Sequence, residues 1–212
     1  MVHIKKSRNK LRVREIVSFL EKKERAHDKI ISSSRPLVRV CANAIKLLHY
    51  GDVAGAKKIL KQLEGGLRKL PKADASWNYL LAPIYQEVVE AKIVLAAIEH
   101  WPLPDYKKLK VNPQVYLLGL CDAVGEFRRQ LVEELKAGNL KEAEYYFDLM
   151  ADVYEKISVI RFSNSVLPNF KRKQDVARGQ LEMARSEMLR AKPNALPDLP
   201  DRASRGLKGR GR

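Results

Sequence analysis

Residues 112–138 read NPQVYLLGLCDAVGEFRRQLVEELKAG. Asn112 is a capping residue, Pro113 stands at the first helical position where no backbone donor is needed, and Gly138 supplies a stop. The apolar residues between them keep a helical period, so the spacing predicts a helix over 112–137. The same grammar holds on either side. Asn139 opens a helix to about Phe162, and another starts near Pro168 and ends before Pro193. Upstream, 75–100 reads as a helix with Pro83 in its early part. The segment 52–66 is a helix that opens on Asp52 and closes at Gly65, Gly66 and Pro71. Residues 10–50 form one long helix, expected to bend near Pro36, whose ring removes a backbone donor. WPLPDYKKLK, from Trp101, reads as a loop. No segment alternates with the period of a strand, so the expected class is all-α, a bundle of about six to seven helices.

Residues 1–191 read as a single helical domain. The tail 192–212, with its prolines and its GLKGRGR ending, is basic and too poor in apolar residues to pack, so disorder is expected there. GDVAGAKKIL at 51 and GNLKEAEYYF at 138 echo each other: a glycine stop, a capping Asp or Asn, and an alanine four residues after the cap. The offset does not suit a tetratricopeptide array, so the echo is shared helix-cap grammar.

The 212 residues carry 41 Lys and Arg against 25 Asp and Glu, a formal charge of +16. That excess favours a polyanionic partner over a small metabolite. Residues 1–40 hold 12 basic and 4 acidic side chains and residues 192–212 hold 6 and 2, so the two ends supply +8 and +4 of the total. Cys41 and Cys121 lie in apolar helical patterns with no zinc spacing and read as buried hydrophobes. With no long apolar run and no leader pattern, a cytoplasmic protein without a membrane partner is expected.

Two apolar helical stretches each carry a pair of acids on one face, Glu87 with Glu90 and Asp122 with Glu126. Helices packed antiparallel would gather four carboxylates. Their repulsion calls for a cation, and hard oxygen donors suit Mg²⁺, or Mn²⁺, at a site fit for phosphodiester hydrolysis. The plain alternative is a solvated face, with Arg129 as an ion-pair partner for Glu126.

RAHDKIISSSRPLVRVCANAIKLLHYGDVAGAKKIL, YQEVVEAKIVLAAI, VYLLGLCDAVGEFRRQLVEEL and FKRKQDVARGQLEMAR, in that order, resemble the translin family, particularly archaeal translins and translin-associated factor X. The most specific element is YLLGLCDAVGEFRR, similar to the family's YLLG-x-x-D-x-x-G-E-x-x-R. The resemblance implies that the acids of QE-x-x-EA and D-x-x-GE bind Mg²⁺ and cut single-stranded RNA. Those positions are Glu87, Glu90, Asp122 and Glu126 here, all acidic, as in the nuclease members and unlike the purely binding ones. Where some active members carry a further acid, this chain has Ile84. The resemblance also implies a hollow homo-octamer with the acids facing its cavity.

Arg35, Arg39, Lys46 and His49 share one stripe of the first helix and suit phosphate contacts; a solvated basic face is the alternative. Lys171, Arg172, Lys173 and Arg178 cluster near the start of the last helix as a second nucleic-acid contact, against which stands a salt bridge between subunits through Asp175. Aromatics are sparse, and Tyr145, Tyr146, Phe147 and Tyr154 sit at core-like spacing, so binding is expected to be chiefly electrostatic. His3, His27 and His100 are expected to face solvent. No histidine pair stands at helical spacing, which favours a metal route over attack by the RNA's 2′-hydroxyl. The reading is a Mg²⁺-dependent endoribonuclease on single-stranded RNA, with single-stranded DNA as a second ligand. A non-catalytic RNA or DNA binder, or a helical scaffold, are the alternatives.

Overall fold

The computed structural model describes residues 12–70 and 78–191, and every regular element among them is helical. In chain order these are α1 (Val13–His49), α2 (Val53–Arg68), α3 (Asn78–Ile98), α4 (Tyr106–Leu109), α5 (Pro113–Lys136), α6 (Leu140–Ser158) and α7 (Phe170–Ala191). The tail 192–212, His3 and the segment around Pro71 lie outside the described residues. No described helix is long and apolar enough to cross a membrane.

The chain divides into two compact units, Met1–Ala123 and Val124–Arg212. In the first, α1 packs on α2 and α3 around Ile30, Cys41, Ala44, Ile45, Leu60, Leu63, Ile84 and Val88. Burying a side chain such as Leu63 or Ile84 contributes about 1.5–3 kcal/mol. α3 is apolar on most of its circumference and buries Val89, Ile93, Val94 and Ala97 as well, as a helix enclosed by neighbours must. In the second unit α6 packs on α7, burying Tyr146, Met150, Val153 and Ile157 against a stripe of Phe170, Ala177, Leu181, Ala184 and Met188. Gln174, in that stripe, donates through Nε2 to the Ile157 carbonyl at 2.7 Å and accepts from Arg161, so its buried amide is satisfied.

The helix boundaries follow local chemistry with three exceptions. α1 is one continuous helix with Pro36 inside it, as the sequence leads one to expect, and the hydroxyls of Ser32 and Ser34 donate to the Lys29 and Ile31 carbonyls in the preceding turn. The stop expected at Gly65 and Gly66 does not occur. α2 continues to Arg68, because Gly66 is there for packing: a Cβ on it would stand 2.6 Å from Leu37 Cδ2 of α1. The stretch after Trp101 contains the turn of α4, capped by Asp105, whose carboxylate accepts from the Lys108 amide at 2.7 Å. α6 ends at Ser158, short of Phe162, in a connection where Asn164 accepts from the Asn169 amide.

The two echoing glycine turns share a backbone, with φ of +76° at Gly51 and +75° at Gly138. Ala56 and Ala143, four residues past each cap, are fully buried. The caps themselves differ. Asp52 accepts from the Gly55 amide at 2.8 Å, whereas the Asn139 amide group donates to Glu134 and leaves the next helix without a side-chain cap.

Candidate functional site

Glu87 and Glu90 stand half-buried on α3, a helix whose neighbouring positions Ile84, Val88, Val89 and Ala91 are buried. Their charges act on Cys41 of α1: burial first, then the charges of Glu87 and Glu90, push that thiol up to about 12. Both cysteines are buried, as their apolar setting predicts.

The third acid reaches α3 from α5. Gly119 is where the two helices meet, since a Cβ there would lie 2.6 Å from the Gln86 carbonyl oxygen and 2.8 Å from Val89 Cβ. Any side chain would push them apart. One turn later Asp122, half-buried, accepts a hydrogen bond from Gln86 Nε2 at 2.7 Å. Gln86 immediately precedes Glu87, so one turn of α3 both carries an acid and orients another. Spacing of the acids singled out neither Gln86 nor Gly119; the signal was their place inside the two motifs, Gln86 directly before Glu87 and Gly119 one turn before Asp122. Glu126 follows Asp122 by one turn of α5, half-buried, in the second unit. Ile84 is fully buried and adds no donor.

The donors are all carboxylate oxygens, the ligand type that a hard divalent cation takes. Among the described residues no three His, Cys, Asp or Glu side chains converge into a group able to hold a metal ion. Binding one would draw carboxylates of α3 and α5 together, with the ion's charge offsetting their repulsion.

Of the basic residues named from sequence, Arg35, Arg39 and Lys46 are exposed on α1 and His49 is half-buried at its end. On α7, Lys171, Arg172 and Arg178 are exposed and Lys173 is half-buried. Asp175 is paired along its own helix, with Lys171 Nζ at 2.8 Å, which holds its carboxyl below the usual range. Arg129 is exposed, whereas its neighbour Arg128 forks onto both oxygens of Glu187 and reaches Gln180 at 3.2 Å, tying α5 to α7 in the second unit. That bidentate pair went unnoticed in the sequence, because its partner lies 59 residues away. His100 is exposed and His27 half-buried against Asp28.

Residues 62–184, more than half of the chain, match the Translin family. An uncharacterized protein of Methanocaldococcus jannaschii is 31% identical over 178 residues, covering 82% of this chain and 80% of its own length. The crystal structure of AfC3PO matches with a TM-score of 0.76 at 32% identity, over 85% of this chain and 97% of that one. AfC3PO solved in complex with duplex RNA matches with a TM-score of 0.76 at 31% identity, over 85% and 96% of the two chains. All four motif acids are present on α3 and α5, the family match spans both helices, and the relatives cover most of the chain: the protein belongs to the Translin family.

Proposed function

We propose that the protein is a Mg²⁺-dependent endoribonuclease that binds and cuts single-stranded RNA. The observation that carries the reading is the junction at Gly119, where Gln86 of α3 fixes Asp122 of α5 beside the helix that bears Glu87 and Glu90. Half-burying three acids in apolar surroundings costs solvation, and a bound cation offsets that cost. Glu87, Glu90, Asp122 and Glu126 would hold Mg²⁺, or Mn²⁺. When bound, the ion supplies Lewis acidity toward the phosphodiester. Gln86 keeps the Asp122 carboxylate aimed, and Arg35, Arg39, Lys46 and His49 on α1, with Lys171, Arg172, Lys173 and Arg178 on α7, hold backbone phosphates. Membership of the Translin family and the likeness to AfC3PO, solved with duplex RNA, support nucleic-acid binding. The assembly proposed is a homo-oligomer, an octamer, and single-stranded DNA is a second ligand.

Labelled single-stranded RNA incubated with Mg²⁺ and with EDTA tests the reading. Cleavage is expected with Mg²⁺ alone, and Glu90→Ala or Asp122→Ala abolishes it while RNA binding survives. The fragments are expected to carry a 5′-phosphate and a 3′-hydroxyl, as attack by water leaves them. Cyclic phosphate ends that persist in EDTA would exclude the four acids as the catalytic group. Binding with no cleavage under either condition would leave a non-catalytic nucleic-acid-binding protein.

A further inference from the structure

The aromatic residues at one end of the first unit bear on a question that electrostatics leaves open, namely how the bases of a bound strand are held. Three chain segments meet at that end. α1 finishes at His49 and α2 starts at Val53, and Lys57 of α2 joins the end of α3 by pairing with Glu99 at 2.8 Å. The same ammonium group lies 5.0 Å from the centre of the Trp101 ring. Lys46 sits over Tyr50 at 5.8 Å, and Lys107 over Tyr106 at 5.9 Å. Tyr50 is 76% exposed and Trp101 51% exposed, far more than large rings in a helical protein usually are. Lys58, Lys108 and Lys110 of the same segments are exposed as well.

The backbone carrying Trp101 and Tyr106 is held by local structure. His100, at φ +53°, closes α3, and the Trp101 amide bonds back to the Ala96 carbonyl at 2.8 Å. Pro102 and Pro104 follow, then α4 with its Asp105 cap, and Tyr106 packs edge-on against Tyr116. Rings fixed in place lose little entropy on meeting a ligand. Exposed aromatic residues interleaved with lysines are the composition of a single-strand stacking surface, where bases stack on rings and ammonium groups take the phosphates.

We propose that this end of the first unit, with Trp101 and Tyr50 as its platforms, stacks the bases of single-stranded nucleic acid at a place separate from the acids of α3 and α5. The inference takes its partner class from the nucleic-acid reading above. The chain has two tryptophans, so Trp77→Phe leaves Trp101 as the sole reporter. In that background, titration with oligo(U) is expected to quench Trp101 emission. Trp101→Ala is expected to weaken oligo(U) binding about tenfold, a typical loss for one stacked base, and Trp101→Phe to restore most of it. An abasic strand of the same length should bind the parent and Trp101→Ala alike. If oligo(U) binds with undiminished affinity after Trp101→Ala and leaves the emission unchanged, the stacking site is wrong and the nucleic-acid reading stands. If no strand binds the unaltered protein, both fail.

Discussion

α3 and α7 are of nearly equal length and both carry functional candidates, yet they present their charges in opposite ways. α7 buries one stripe, from Phe170 to Met188, and turns Lys171, Arg172 and Arg178 to water. Charges so placed need no special reason. α3 is enclosed on most sides, and its Glu87 and Glu90 are half-buried beside a thiol whose ionisation they oppose. Carboxylates set into an enclosed helix are partly desolvated, the setting in which working charges recur, so α3 is a stronger site candidate than α7.

The glycines of α5 test how much of this rests on the close approach to α3. Gly119→Leu is expected to destabilise the protein by about 3 kcal/mol in urea unfolding, because the side chain meets the α3 backbone. Gly125, with nothing within 4 Å of its Cβ direction, should gain about 0.5–1 kcal/mol as Gly125→Ala through helix propensity. Equal effects at the two positions would show that α3 and α5 do not touch at Gly119.

The Cys41 thiol reads the α3 acids without any activity assay. Its ordinary value of 9.0 describes the unfolded chain, and the folded value is about 12. The folded state therefore keeps a proton that the unfolded chain releases, and the stability contributed is complete below pH 9 and lost as pH rises toward 12. Glu90→Gln removes one of the charges responsible, so the Cys41 thiolate, followed by its Cβ carbon shift in NMR, is expected to begin forming at lower pH than in the parent. An unchanged titration would place the Glu90 carboxylate away from the thiol.

The smallest stability effects belong to α7. Arg172→Ala and Arg178→Ala should each shift stability by no more than about 0.5 kcal/mol. Each should also lower the slope of log affinity for RNA against log salt by roughly one. A large loss of stability would mean that these side chains pack rather than bind.

Much of the fold was legible because helix ends are written locally. Asn112, whose side chain accepts from the Gln114 amide, Asp52, Gly51 and Gly138 all act where the sequence places them. What misled was chemistry whose meaning depends on a distant partner. Gly65 and Gly66 look like a stop until Leu37 of α1 is set against Gly66. Asn139 looks like a cap until Glu134 captures its amide. At the site, the i,i+3 and i,i+4 spacing of the acids was visible, whereas Gln86 as the residue orienting Asp122 was not, since that bond spans 36 residues. Trp101, Tyr50 and Tyr106 were passed over because composition counts aromatics and cannot say which are outside.

The first half of α1 has a consequence for local motion. From Val13 to Lys29 no residue is buried, and Val13, Ile16, Val17, Phe19 and Leu20 all face water, whereas from Ile30 onward the helix is anchored in the core. A largely solvated helical arm sits near the balance point between helix and coil. Its amides therefore open and exchange hydrogen with water far faster than those around Cys41 and Ile45, in the anchored half of the same helix. One continuous helix thus joins an exposed arm to an anchored half, and any surface that comes to cover the arm would announce itself by slowing that exchange.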